Sequence, residues 1–299
     1  METQRPQTET SLTDYAGIDT WEDARILTAL VDGQERAIAA VRAASPKIAA
    51  AATAMAERIR NGGRLIYAGA GTSIRVAVQD GSELTATFGM PEAKIAYLIA
   101  GGRAAMFDTL ADAEDNAEAG AKAAEICGPE DVLIAVAASG STPYTVAAAK
   151  RAKERGALVV SVVNNQGSPL GNVADFEIVL DSGPEVIAGS TRLGAGTAQK
   201  AALNLLSTLT HIKLGAVHDG MMVNVRAGND KLKRRAVDIV MRIANAGEAA
   251  AMAALDAAQG QVKPAVLICA GARTHDAAQR FLADANGNLR LALARLSAP

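Results

Sequence analysis

Arg64-Leu65-Ile66-Tyr67-Ala68-Gly69-Ala70-Gly71-Thr72-Ser73 decides the fold: an apolar run, a glycine-rich turn and two hydroxyl residues follow one another without interruption. A short apolar run closed by glycine reads as a buried strand. Thr72 and Ser73 then open a helix. Gly69 and Gly71 allow close backbone approach, and free N–H groups at the helix start, backed by the helix dipole, favour an anion. The pattern recurs at Ala138-Ser139-Gly140-Ser141-Thr142, after the apolar residues 132–137. Either loop alone is also what a capped helix start looks like. Two of them at strand ends predict one anionic group, such as a phosphate, gripped from two sides. Neither is a nucleotide signature: Gly-Lys-Ser/Thr is missing, and Ile74 stands where the dinucleotide pattern requires its third glycine.

Outward from that stretch, strand-like runs fall at residues 65–68, 95–99, 132–137, 158–163 and 177–180, with helical periodicity between the first four. Alternating strands and helices predict an α/β fold with a parallel sheet and right-handed crossovers. Residues 1–20 read as an extended polar arm. Residues 21–60 read as two helices separated near Pro46, because proline removes a helical donor. A long helix is expected over 191–214, and beyond Asn229 the pattern is purely helical. The expected organisation is residues 1–53 as N-terminal arm and helices, 54–217 as the α/β domain, and 228–299 as a small all-helical C-terminal domain.

Composition narrows the function. With 299 residues and 49 % hydrophobic side chains, a sizeable core is available. A net charge of −2 without a basic run gives no grip on nucleic acid or an anionic membrane surface. Aromatic residues at 3 % leave no stacking platform for single strands. The two cysteines, Cys127 and Cys269, are far apart and outside any metal-ligand spacing, so they read as packed thiols in a reducing cytoplasm. No apolar run reaches membrane-spanning length, residues 1–13 carry no signal-peptide core, and no cofactor or metal is called for.

Two carboxylates stand close to the loops. Glu83, in Asp80-Gly-Ser-Glu83, lies about three turns into the helix that begins at Thr72, and Glu114 follows the Gly101-Gly102 loop in Ala113-Glu114-Asp115. A carboxylate pair can divide acid and base work when their surroundings differ, although an isolated glutamate is most often a solvated helix residue. Gly189-Ser190-Thr191-Arg192-Leu193 is a third hydroxyl pair before a helix, with Glu185 upstream. Arg192 reads as an anion ligand or as an ion-pair partner, and Ser190 and Thr191 as ligands or as caps. Among the histidines, His211 reads as structural, His275 as a helix cap, and His218, in a glycine-flanked loop, as a functional candidate.

With these residues in place, the chain resembles the N-acetylmuramic acid 6-phosphate etherases, a branch of the sugar-isomerase (SIS) domain proteins. The likeness is carried by Gly63 to Ser73, Ser82-Glu83, Thr87-Phe-Gly89, Leu98-Ile-Ala-Gly-Gly102, Ala113-Glu-Asp115 and Ala137-Ala-Ser-Gly140. Gly183-Pro-Glu-Val186, Gly189-Ser-Thr-Arg-Leu193 and Ala195-Gly-Thr-Ala-Gln-Lys200 carry it further, and Met222-Val223 and Lys231-Leu232 extend it into the helical tail. The resemblance implies a five-stranded parallel SIS sheet and a cytoplasmic homodimer without metal or nucleotide. It further implies cleavage of the lactyl ether of N-acetylmuramate 6-phosphate to N-acetylglucosamine 6-phosphate and D-lactate in amino-sugar recycling. It assigns Glu83 and Glu114 as catalytic. Glu83 is then the proton donor to the departing ether oxygen, and Glu114 the second acid/base, acting at C2 or on water. It implies substrate binding by Gly71, Thr72, Ser73, Ser139, Gly140, Ser141, Thr142, Ser190, Thr191 and Arg192. SIS sites are often shared across a dimer, so that His218 or the N-terminal arm would contribute to the neighbouring subunit.

The chain departs from the family's pattern at Ile74 (commonly glycine), Gly81 (alanine), Leu84 to Ala86 (Cys-Pro-Pro), Gly194 (lysine) and Glu2 to Pro6 (Thr-Glu-x-Arg-Asn-Pro). Two other readings use the same loops. A non-catalytic sugar-phosphate regulator needs the cradle but not the glutamate pair, and an aldose–ketose phosphate isomerase enolises at C2 without expelling a C3 substituent.

Overall fold

The computed structural model describes residues 7–10, 12–108, 111–225 and 230–297. Five strands, β1 (Leu65–Gly69), β2 (Ile95–Ile99), β3 (Val132–Ala137), β4 (Leu158–Val163) and β5 (Phe176–Val179), form one parallel sheet in the order β2-β1-β3-β4-β5. The chain therefore leaves β1 toward one edge and returns to β3 on the other side. That reversal opens a crevice beyond the carboxyl ends of β1 and β3. Central β1, β3 and β4 are buried at every position, as their almost wholly apolar sequences require (Ser161 of β4 is the polar exception), whereas edge strands β2 and β5 are only partly covered.

The helices are α1 (Asp23–Arg60), α2 (Gly71–Phe88), α3 (Ala117–Ala123), α4 (Pro143–Glu154), α5 (Pro169–Val173) and α6 (Gly194–Lys213). A β6 (Val217–His218) and β7 (Met221–Met222) ribbon precedes α7 (Asp230–Ala244), α8 (Glu248–Ala257), α9 (Val262–Cys269), α10 (His275–Asp284) and α11 (Leu289–Leu296). On one face of the sheet, Ile66, Ala68, Leu133, Ala135 and Val159 pack with Ala148, Ala149 and Ala152 of α4. Such small side chains let helices and sheet approach closely. Gly120 of α3 shows how closely: a Cβ there would lie 2.1 Å from the Tyr144 carbonyl oxygen. Arg64 and Asp131, 2.6 Å apart, tie the starts of β1 and β3 together.

The expected interruption at Pro46 does not occur, and α1 runs through it for 38 residues. Its buried stripe, Ala37, Ala40, Val41, Ala44, Ile48, Ala51, Ala52 and Met55, stays in phase across the proline. Continuous packing of that stripe outweighs the roughly 3 kcal/mol that an interior proline costs.

The chain divides into two compact units: Met1–Gly81 with Ala93–Leu209, and Ser82–Glu92 with Thr210–Pro299. In the second, helices α7 to α11 enclose a core of Ile239, Val240, Leu255, Val262, Val266, Leu267, Leu282 and Leu289. Lys263 is buried there, donating to the Gly287 carbonyl at 2.7 Å, and burial pulls its ammonium down to about 8. Asp219 and Gly220, both with positive φ, turn the β6–β7 ribbon in the manner expected of Asp-Gly.

Candidate active site

A cavity of about 350 Å³ opens beyond the ends of β1 and β3, lined by both hydroxyl loops: Gly71, Thr72 and Ser73 from the first, and Ser139, Ser141 and Thr142 from the second. Gly71 has φ of 53°, which places the turn in the left-handed region and brings the N-terminus of α2 onto the cavity. Gly140, with φ of 68°, does not line the cavity. A Cβ there would sit 2.3 Å from Ser168 Oγ, so its role is to let the second loop turn against α5's first residues. Within that loop Ser139 Oγ accepts from both the Ser141 N–H at 3.2 Å and the Ser141 hydroxyl at 3.0 Å. Thr142 is the N-cap of α4 but makes no capping bond with its side chain.

Ile74, the departure beside the first loop, is fully buried and packs near Gly69 rather than facing the cavity. The side chain at this departure therefore does not intrude on the cavity. Farther along α2, Asp80 accepts from Tyr67 Oη at 2.7 Å, Asn204 Nδ2 at 2.7 Å and Ser207 Oγ at 2.9 Å, anchoring the helix to β1 and α6. Burial, with the Asp80 charge beside it, raises the Tyr67 hydroxyl well above its ordinary range. The same two causes take Tyr97 to about 12.

Glu114 lines the cavity with Asp115. Its main chain is fixed from two sides: the Glu114 carbonyl accepts from the Tyr144 N–H of α4 at 3.0 Å, and Asn116 caps α3 by accepting from the Ala119 N–H at 2.9 Å. The close approach of Gly120 to Tyr144 makes that arrangement possible. Glu83 is exposed on α2 and is not among the lining residues. It stands ten residues after Ser73 in the same helix, about 15 Å of helix axis.

Of the third hydroxyl group only Thr191 lines the cavity; Ser190 and Arg192 do not. The expectation that Ser190 and Thr191 open the helix is corrected: α6 begins at Gly194, and its cap is Glu185. That carboxylate is buried and accepts from the Gly194 N–H at 2.8 Å and the Ala195 N–H at 2.9 Å. Arg192 is exposed.

Sequence reasoning missed Thr8 among the lining residues. It lies in the N-terminal arm, outside every strand-end motif, and the arm was expected to serve a neighbouring subunit. Thr8 lines the cavity of its own chain. The family-like segment Glu2 to Pro6 lies outside the described residues.

The histidines fall elsewhere. His211 is buried and stacked on Phe88 at 4.5 Å between ring centres. His218 is buried in β6, 3.4 Å from Asp219, with burial drawing its imidazole below the ordinary value. His275 is not the cap of α10, because Thr274 Oγ1 accepts from the Ala277 N–H at 3.1 Å. Cys127 and Cys269 are unpaired thiols, and burial pushes Cys127 up to about 11. Among the described residues no helix is long and apolar enough to cross a membrane.

The sheet order and the paired hydroxyl loops define a SIS domain. Two family models agree: the glucokinase regulatory protein N-terminal SIS domain matches residues 47–153, and the SIS domain matches residues 106–209. A phosphoheptose isomerase from Francisella tularensis shares the fold, with a TM-score of 0.51 and 20 % identity over 64 % of this chain and 100 % of that one. An N-acetylmuramic acid 6-phosphate etherase from Deinococcus radiodurans is 46 % identical over 290 residues, 96 % of this chain and 95 % of its own. The protein of that name from Rubrobacter xylanophilus is 45 % identical over 288 residues, with the same coverage. The chain belongs to the N-acetylmuramic acid 6-phosphate etherase family.

Proposed function

We propose that the protein cleaves the D-lactyl ether of N-acetylmuramic acid 6-phosphate, as a carbon–oxygen lyase, releasing N-acetylglucosamine 6-phosphate and D-lactate. The observation that carries this reading is the near-full-length likeness to proteins of that name. The cavity supports it, because it joins two anion-binding loops to a carboxylate.

The 6-phosphate rests on the N–H and hydroxyl donors of residues 71–73 and 139–142, with Thr191 alongside. In the open-chain sugar the C1 aldehyde acidifies C2–H. Glu114 takes that proton, the electron pair forms the C2–C3 double bond, and the C3–O bond breaks. Glu83 protonates the departing lactyl oxygen. Water then adds at C3, and a proton returns to C2. The exposed aldehyde needs no metal to acidify its neighbour. A regulator is the weaker reading, because a sensor has no use for Glu114 on the cavity wall.

Glu83 lies farther along α2 than the span from a sugar's 6-phosphate to its third carbon. The proposal therefore includes a homodimer in which the partner's Glu83 completes the site. The setting is the cytoplasm, where phosphorylated amino sugars are retained.

Lactate release from N-acetylmuramic acid 6-phosphate tests the activity, and its absence in the wild type overturns the proposal. Glu83→Gln and Glu114→Gln should each lose at least about a hundredfold in kcat. After subunit exchange between the two inactive variants, a shared site restores roughly a quarter of wild-type activity, since about half of the dimers are hybrids with one intact site. No recovery in verified hybrids refutes the shared site.

A further inference from the structure

We propose that Thr8 is a substrate-binding residue, its hydroxyl donating to the phosphate held by the two hydroxyl loops. The inference rests on the phosphosugar reading of the cavity and adds a contact from the N-terminal arm.

Thr8 is 1 % exposed and lines the cavity with Thr72, Ser73, Ser139 and Ser141. Its place is held at three points. Asn165, just beyond β4, accepts from the Gln7 N–H at 2.7 Å through Oδ1. The same side chain donates through Nδ2 to Thr8 Oγ1 at 3.4 Å and to the Ala138 carbonyl at 2.8 Å. The Gly189 N–H donates to the Thr8 carbonyl at 3.1 Å. Asn165 thus ties Thr8 directly to the residue that begins the second hydroxyl loop.

The chemistry of Asn165 sets the direction of the Thr8 hydroxyl. An amide nitrogen only donates, so Thr8 Oγ1 is the acceptor in that pair, and the hydroxyl's own proton must go elsewhere. No acceptor for it is found among the described residues, and a buried donor left unpaired is costly. A phosphate oxygen in the cavity supplies the acceptor. The cavity's lining makes such a donor valuable: it holds no lysine or arginine among the described residues, and it includes the carboxylates of Glu114 and Asp115. Among the described residues a dianion there meets N–H and O–H donors rather than cationic side chains, so each hydroxyl carries a large share of the affinity.

The experiment compares wild type, Thr8→Val and Thr8→Ser as full-length chains. Inorganic phosphate is titrated calorimetrically, and steady-state kinetics are measured with N-acetylmuramic acid 6-phosphate. Loss of one hydrogen bond to a charged group predicts that Thr8→Val weakens phosphate binding and raises KM by about tenfold or more, with kcat within about twofold. Thr8→Ser, which keeps the hydroxyl, should match wild type. Unchanged phosphate affinity in Thr8→Val overturns the inference. A Thr8→Ser variant as weak as Thr8→Val overturns it too, because the lost methyl group would then be responsible. If the wild type releases no lactate, the etherase reading fails while the phosphate titration still decides the role of Thr8.

Discussion

Gly81→Ala restores the residue that the family pattern carries at this position, and in this chain it should destabilise the fold. Gly81 lies inside α2, where alanine is favoured over glycine by about 1 kcal/mol. Its added Cβ would stand 2.7 Å from Tyr67 Cε2, 2.7 Å from Tyr97 Oη and 2.8 Å from Tyr97 Cε1. Ordinary carbon contacts are about 3.5–4.0 Å, so both rings must retreat by close to 1 Å. Tyr97 is on an edge strand and only partly covered, so it can swing. Tyr67 cannot: it is fully buried, bonded to Asp80 at 2.7 Å, and stacked on Tyr97 at 5.8 Å between ring centres. Overpacking costs about 1–3 kcal/mol, and straining a hydrogen bond to a carboxylate about 1.5–3 kcal/mol. After the propensity gain, a net loss of about 1.5–5 kcal/mol remains. Urea unfolding followed by circular dichroism measures it. The double variant with Tyr97→Ala, which vacates one side of the clash, should recover about 1 kcal/mol beyond additivity. A Gly81→Ala protein as stable as its parent, or more so, would show that the two tyrosines do not close over Gly81, and the packing argument falls.

Lys263 makes stability depend on pH in the alkaline range. Its folded value of about 8 lies below the ordinary 10.4, so between those limits the unfolded chain holds a proton that the folded chain has lost, and stability rises with pH by up to about 3 kcal/mol. The stability difference between wild type and Lys263→Met, measured from pH 7.5 to 10.5, should shift toward the wild type as pH rises, and a flat difference refutes the assignment. Glu185→Gln leaves the α6 N-terminus without a charge and with one acceptor oxygen in place of two, a loss of about 2 kcal/mol. Because the Gly196 N–H donates to the Thr191 carbonyl at 2.8 Å, loosening α6 also reaches the cavity, so KM should rise along with a lowered Tm. A variant that melts with the wild type removes Glu185 as the cap.

Signals that are local in the chain were legible; those that need a distant partner were not. Strands β2, β3 and β4 match the expected ranges to the residue: central β3 and β4, buried on both faces, leave almost wholly apolar runs, and edge strand β2 is the apolar run Ile95–Ile99 itself. Pro46 misled because its cost is local, while the stripe that overrides it is completed only by packing. Glu185 and Thr8 escaped for the same reason, since their roles depend on residues brought in by the fold. Hydroxyls at helix starts show where sequence reading stops. Thr142, Ser168 and Thr274 all precede helices, and proline follows both Thr142 and Ser168, so the chain alone gives no reason to treat them differently. In the structure Ser168 spends its oxygen on the Gly171 N–H and Thr274 on the Ala277 N–H, whereas Thr142 makes no such bond and faces the cavity. A hydroxyl in a capping position that does not cap keeps its donor and acceptor for a ligand. That unfilled local role, rather than residue type, sets Thr142 on the cavity wall apart from the structural caps Ser168 and Thr274.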